Sequence, residues 1–208
     1  YTVKTLARGD FPPALLEIPQ IPEKLYIVGE LPDPSQCYYL SVVGSRKYTN
    51  YGREATERII AGLAGYPICI VSGLAMGIDG IAHRAALDAG LRTVAIPGSG
   101  LDPSVIYPRV HFNLAREIVE NGGALLSEYE SDFRATPWSF PQRNRIMAGI
   151  SQGVLVIEAE EKSGTLITAR LALDYNRTVF TVPGPIFSAT SKGTNNLLRQ
   201  GATPITCA

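Results

Sequence analysis

Cysteine is scarce in this chain and follows no pattern. Cys37, Cys69 and Cys207 are odd in number and far apart, with no CxxC pair and no metal-finger spacing, so neither a disulfide framework nor a metal site is expected. Only two histidines are present, with no Cys–His pairing and no GxSxG elbow, which leaves no nucleophilic triad and argues against an enzyme. Charge of one sign is not in excess either: 19 Lys and Arg offset 19 Asp and Glu. A strongly basic balance would point to nucleic acid directly, so any polyanion site has to arise from local clustering. No apolar run approaches the roughly 20 residues of a membrane span. No signal peptide is visible, and a reducing cytoplasm fits best. The chain begins at Tyr1 without Met and reads as a fragment. Two nucleotide motifs are missing as well. Gly98-Ser99-Gly100 runs into Leu101-Asp102-Pro103 instead of opening a helix, and Lys162-Ser163 follows Glu160 and Glu161 where a Walker loop needs glycines. No cofactor is expected.

The 208 residues, 45% hydrophobic, are enough for one domain with a full core and a short appendage. Residues 1–37 carry Pro12, Pro13, Pro19, Pro22, Pro32 and Pro34, and read as a proline-rich lead-in packed on the core, with a short edge strand at Leu25 to Val28. From residue 38 to 208 apolar strand runs alternate with helical stretches. Strands are expected at Tyr39–Val43, Ile68–Val71, Thr93–Ile96, Ala124–Ser127, Val154–Ile157 and Val179–Val182, with Thr203–Thr206 a further candidate. Helices are expected at Gly52–Ala64, Ile78–Ala89, Val110–Asn121, from Phe140, and from Ser163-Gly164-Thr165. This rhythm implies βαβ units. The fold class is α/β, an extended Rossmann-like fold with a mostly parallel sheet of about six to eight strands and helices on both faces. In such sheets ligands sit beyond the carboxyl ends of the strands.

Several strand exits carry residues suited to phosphate. Gly44-Ser45-Arg46 follows the first parallel strand: Gly permits a tight turn, Ser offers a hydroxyl and an amide, and Arg a forked donor. Lys162-Ser163-Gly164-Thr165 at a helix N-terminus is the best generic anion site, and Lys192-Gly193-Thr194-Asn195, before the last helix, is a second. Phe140, beside Arg143, Asn144 and Arg145, can stack a base while the guanidiniums hold the backbone. Equally, Phe140 can be a hydrophobic staple and the arginines can pair with Glu128 or Glu158. Asp79 and His83 share a helix face, but no third ligand is evident, so a helix-start Asp and a packed His are favoured. Glu128, Glu158 and Asp102 sit at strand ends, and nothing places two of them together.

Five blocks recur in order in one family: Val43-Gly44-Ser45-Arg46; Ser72 to Asp79 with Ala82-His83; Phe140 to Gly149, which contains FPxRNR; Glu158-Ala159 through Ser163-Gly164-Thr165; and Gly193-Thr194-Asn195 with Gly201-Ala202. The chain closely resembles the DprA/Smf family, the bacterial DNA-processing proteins of natural transformation, from about Phe11 to Ile205. The resemblance implies a non-catalytic protein that binds single-stranded DNA, protects incoming DNA, dimerises and loads RecA recombinase for homologous recombination. It implies Gly44, Ser45 and Arg46 on phosphate and Phe140 on a base. Arg143, Asn144 and Arg145 would lie on or beneath the strand, Ser163, Gly164 and Thr165 would line the pocket near Lys162, and Leu197 and Leu198 would lie in a homodimer interface. The N-terminal helical and C-terminal winged-helix modules of many relatives are not visible here. An alternative is a nucleotide-binding enzyme of phosphoribohydrolase type on a related fold. There a catalytic Glu follows a Gly-Thr turn, whereas Gly164-Thr165 leads to Thr168 at that place. A third is an interaction scaffold with a vestigial pocket.

Overall fold

The computed structural model describes residues 2–208; Tyr1, at the head of the lead-in, lies outside the described residues. In chain order the elements are β1 (Lys4–Leu6), β2 (Leu25–Gly29), β3 (Tyr38–Val43), α1 (Asn50–Gly62), β4 (Ile68–Ser72), α2 (Ile78–Asp88), β5 (Arg92–Ala95), α3 (Phe112–Glu120), β6 (Ala124–Ser127), α4 (Ser139–Ile150), β7 (Gly153–Val156), α5 (Thr165–Asp174), β8 (Thr178–Thr181), α6 (Lys192–Arg199) and β9 (Thr203–Pro204). The strands form a nine-stranded sheet in the order β1-β2-β6-β5-β4-β3-β7-β8-β9. From β6 to β9 every neighbour is parallel, while β2 runs antiparallel to both β6 and β1.

The period-2 pattern of the strands divides the core between the two faces. In β3, Tyr39 and Val43 join one apolar cluster with Ile146, Met147 and Ile150 of α4 and Ala169 and Ala172 of α5. Leu40 and Val42 point the other way, onto Ile59 and Ile60 of α1 and Ile78, Ala82 and Ala86 of α2. Leu125 of β6 and Ala95 of β5 extend that second face toward Leu114 and Ile118 of α3. Among the described residues no helix is long and apolar enough to cross a membrane.

The sheet is wider than its sequence pattern indicates. Leu25–Gly29 is not an edge strand: Lys4–Leu6, a three-residue segment too short to show a period, pairs outside it. Between β1 and β2 the segment around residues 13–18 packs on α4, where Leu15 and Ile18 press so closely on Gly149 that a Cβ there would come within 3.0 Å of both. Arg177 ties the same segment down by donating to the Ala14 carbonyl at 2.7 Å and to Glu17 at 2.9 Å. Helix α1 starts two residues earlier than its apolar pattern, because Thr49 is the N-cap and accepts from the Gly52 amide. The third helix is preceded by a 3₁₀ turn over Arg109–His111. Lys192-Gly193-Thr194-Asn195 does not precede the last helix but forms its first turns.

Strand order reverses at β3. The chain leaves β3 for β4, β5 and β6 on one side and then crosses to β7 on the other. That switch point parts the loop after β3 from the loop after β7 and opens a crevice at the carboxyl rim of the sheet.

Candidate nucleic-acid interface

An open cleft of about 620 Å³ occupies the switch point. One wall is the loop Gly44–Lys47 after β3, the opposite wall is Ser163, Gly164 and Thr165 at the start of α5, and Phe140 and Pro141 of α4 stand between them. The β3 loop is folded onto itself, as the Ser45 hydroxyl donates to the Lys47 carbonyl at 2.9 Å and accepts from the Lys47 amide at 3.0 Å. It rests against Gly77, whose φ of +86° and contact with the Ser45–Arg46 backbone leave no room for a side chain. Arg46 and Lys47 are thereby left exposed. The Arg46 guanidinium lies over the ring of Phe140, 5.0 Å from its centroid. Phe140 is seated on Gly98, where a Cβ would fall 2.6 Å from its ring, and meets Tyr107 at 5.6 Å.

Arg143 and Arg145, two positions apart in one helix, have different surroundings. Arg143 is 4% exposed, and its head donates to the carbonyls of Gly73, at 2.6 Å, and Ile96, with Nε on the Asn144 side chain at 3.2 Å. It fixes the ends of β4 and β5 under the cleft floor. Burial pulls its pKa down to about 10, and Asp79 opposes that shift. Arg145 forms a two-pronged buried pair with Glu128, at 2.9 and 2.5 Å, and does not line the cleft. For Arg145 the pairing alternative is therefore the one the structure adopts, with Glu128 and not Glu158. Glu158 is 2% exposed and accepts from Thr49 and Thr190, bolting the loop after β3 to the segment after β8.

Asp79 accepts from the amides of Gly73 and Ala75, and burial raises its pKa against the pull of Arg143. His83 is fully buried with Nδ1 on Thr93 at 2.7 Å. His83 Nε2 has no hydrogen-bond partner, but the ring is sealed from solvent and does not line the cleft, so the pair is a helix-start Asp and a packed His. Thr168 is buried beneath the cleft wall, and Glu160 is the exposed carboxylate that lines it. Among the described residues no group of three or more His, Cys, Asp or Glu is placed to hold a metal.

The structure thus gathers Gly44, Ser45, Arg46, Phe140, Arg143, Asn144, Ser163, Gly164 and Thr165 at one cleft. Lys162 is exposed beside it without lining it. Leu197 is in the core, and Leu198 is half-buried. Sequence reasoning missed Lys47 and the prolines Pro137 and Pro141 that shape the wall. Their signal was only adjacency to Arg46 and Phe140.

The family described as DNA recombination-mediator protein A matches residues 2–208. Protein Smf of Escherichia coli (strain K12) is 44% identical over 196 residues, covering 94% of this chain and 52% of that protein, so the chain spans about half the length of this relative. The X-ray structure of DNA processing protein A from Streptococcus pneumoniae superposes with a TM-score of 0.90 at 38% identity, covering 98% of this chain and 71% of that one. The structure of DNA processing protein A from Helicobacter pylori, described for its single-stranded DNA binding mode, gives a TM-score of 0.88 at 35% identity, covering 99% and 92%.

Proposed function

This chain belongs to the DNA recombination-mediator protein A family, and from that premise we propose that its rim cleft holds single-stranded DNA. The observation that carries the reading is the Arg46 guanidinium over the half-buried Phe140 ring at the mouth of an open cleft. A cation and an aromatic face at one point suit a phosphate and a neighbouring unpaired base. Across the cleft, the α5 N-terminus presents Gly164 with open space around it, a place where a phosphate can approach backbone amides. Arg143 acts from below by holding the floor, and Arg145 acts by fixing α4 through Glu128. The balance of 19 cations and 19 anions is compatible with this, since a short strand needs only a local basic rim.

The wider role we propose is DNA processing in natural transformation: protection of incoming strands and loading of RecA recombinase, in the cytoplasm and without catalysis. Binding is favoured over hydrolysis because Thr168 stands where the hydrolase alternative needs Glu and the buried Asp79 and Glu158 are engaged by neighbours, which leaves the exposed Glu160 as the one carboxylate open to the cleft among the described residues. Self-association through α6 belongs to the same proposal, with Leu197 anchoring the helix and Leu198 left for a partner copy.

The deciding experiment is fluorescence anisotropy of a labelled oligo-dT over a salt series, with duplex DNA and a nucleoside monophosphate as competitors. Binding that weakens with salt and resists both competitors is expected. Failure to bind the oligomer, together with displacement or cleavage of the nucleotide, would overturn the reading in favour of the hydrolase.

A further inference from the structure

Phe140 is not the only aromatic ring at this rim. Trp138 stands at the N-cap of α4, and 58% of it is exposed. Its near neighbours in sequence, Pro137 and Phe140, both line the cleft. The indole is not loose. Tyr129 meets it edge-on at 5.8 Å and 80°, and Phe133 at 5.7 Å and 61°, while those two rings stack on each other at 4.5 Å. Tyr129 is itself buried, and its hydroxyl donates to the Ser139 carbonyl inside the first turn of α4. Two of the three rings in this cluster thus serve to hold the third, whose face is left to solvent. In the same loop, Arg134 is exposed and forms no ion pair among the described residues; Asp132 is exposed as well.

We infer that the Trp138 indole is a second base-stacking platform, taking a base of the same single strand at the lip of the cleft beyond Phe140. The inference rests on the single-strand reading above and adds a direction to it: the strand leaves the switch point past the N-terminus of α4, toward the loop that follows β6. A large, rigid aromatic face loses little freedom when a base settles on it, which is why such residues anchor interfaces. Arg134, four residues before Trp138 in the same loop, is an exposed cation available to the phosphates of a strand that passes this lip. Two separated platforms also select for a polymer, because a mononucleotide reaches only one of them.

Trp138 is the single tryptophan of the chain, so its emission reports on this position alone. The experiment titrates the protein with a labelled oligo-dT and follows oligomer anisotropy and indole emission together. Quenching that saturates with the anisotropy is expected, and so is a roughly five- to hundredfold affinity loss in Trp138→Ala with an unchanged salt slope. Trp138→Phe should retain most of the affinity. Full binding with unaltered indole emission would overturn the platform while leaving the single-strand reading intact. A Trp138→Ala protein that melts earlier yet binds like the parent would make the ring a structural cap only. No anisotropy change in the parent protein would overturn both readings.

Discussion

Replacing Arg143 with Met keeps most of the side-chain volume and removes the charge beneath the cleft floor. In the native protein the guanidinium satisfies the carbonyls of Gly73 and Ile96 and offsets the buried carboxylate of Asp79. Hydrogen bonds to a charged group contribute about 1.5–3 kcal/mol each, and stripping one member from a buried charge set costs about 3–5 kcal/mol. For a chain of this size that corresponds to a fall in Tm of about 6–20 °C. The pH dependence carries its own sign. Asp79 has a folded pKa raised above its ordinary value of 3.8, so the stability linked to it is greatest when it is protonated and is lost as pH rises through the folded value. Removing Arg143 raises that pKa further, so the deficit of Arg143→Met should be full at neutral pH and narrow as pH falls toward the ordinary aspartate range. Adding Asp79→Asn should recover part of it. Both amides donate to one oxygen, Oδ2, which an Asn side chain can replace. Urea titrations of the two single variants and the double variant at several pH values form the cycle. A Tm within about 2 °C of the parent, or a deficit independent of pH, would refute this account of the floor.

Arg46→Ala should leave Tm unchanged, because the side chain is exposed, and should weaken oligo-dT binding across sequences; anisotropy over a salt series should show the log–log slope shallower by about 0.7. His83 is buried with its pKa pulled down to about 3, chiefly by burial, so its stabilising share is present above its ordinary value of 6.5 and is lost as pH falls below that; the unfolding free energy from urea titrations should drop by at most about 1.4 kcal/mol per pH unit from this residue, and His83→Gln should flatten that limb. Leu198→Glu should give a folded monomer by solution scattering, whereas Leu197→Glu, which places a charge in the core, should lower Tm sharply; a surviving Leu198→Glu dimer would remove α6 from the interface.

Local order was legible in the residues. Apolar runs of β-branched and small residues, separated by amphipathic stretches and glycine exits, dictated the alternation of β3 to β9 with helices, and Ala124–Ser127 appears with the bounds its pattern implies. The same rule placed Gly44-Ser45-Arg46 and Ser163-Gly164-Thr165 on one rim, since parallel strands carry their exits to the same side. The family blocks then linked Phe140 to that rim.

The tertiary structure alone decided how neighbouring residues of like type divide their work. Arg46, Arg143 and Arg145 carry the same guanidinium in the sequence. Only the packing of α4 against the ends of β4 and β5 buries Arg143 among carbonyls, sets Arg145 against Glu128, and leaves Arg46 over Phe140 in the open. Leu197 and Leu198 part in the same way, one into the core and one toward the surface. β1 was equally illegible, because three residues carry no period and gain their strand from the edge that β2 offers. Periodicity is a property of nearby residues and can be read along the chain. Charge pairing and burial depend on groups brought together from distant positions, as Arg145 and Glu128 are across 17 residues and Arg143 and Gly73 across 70, and those are fixed only when the sheet closes.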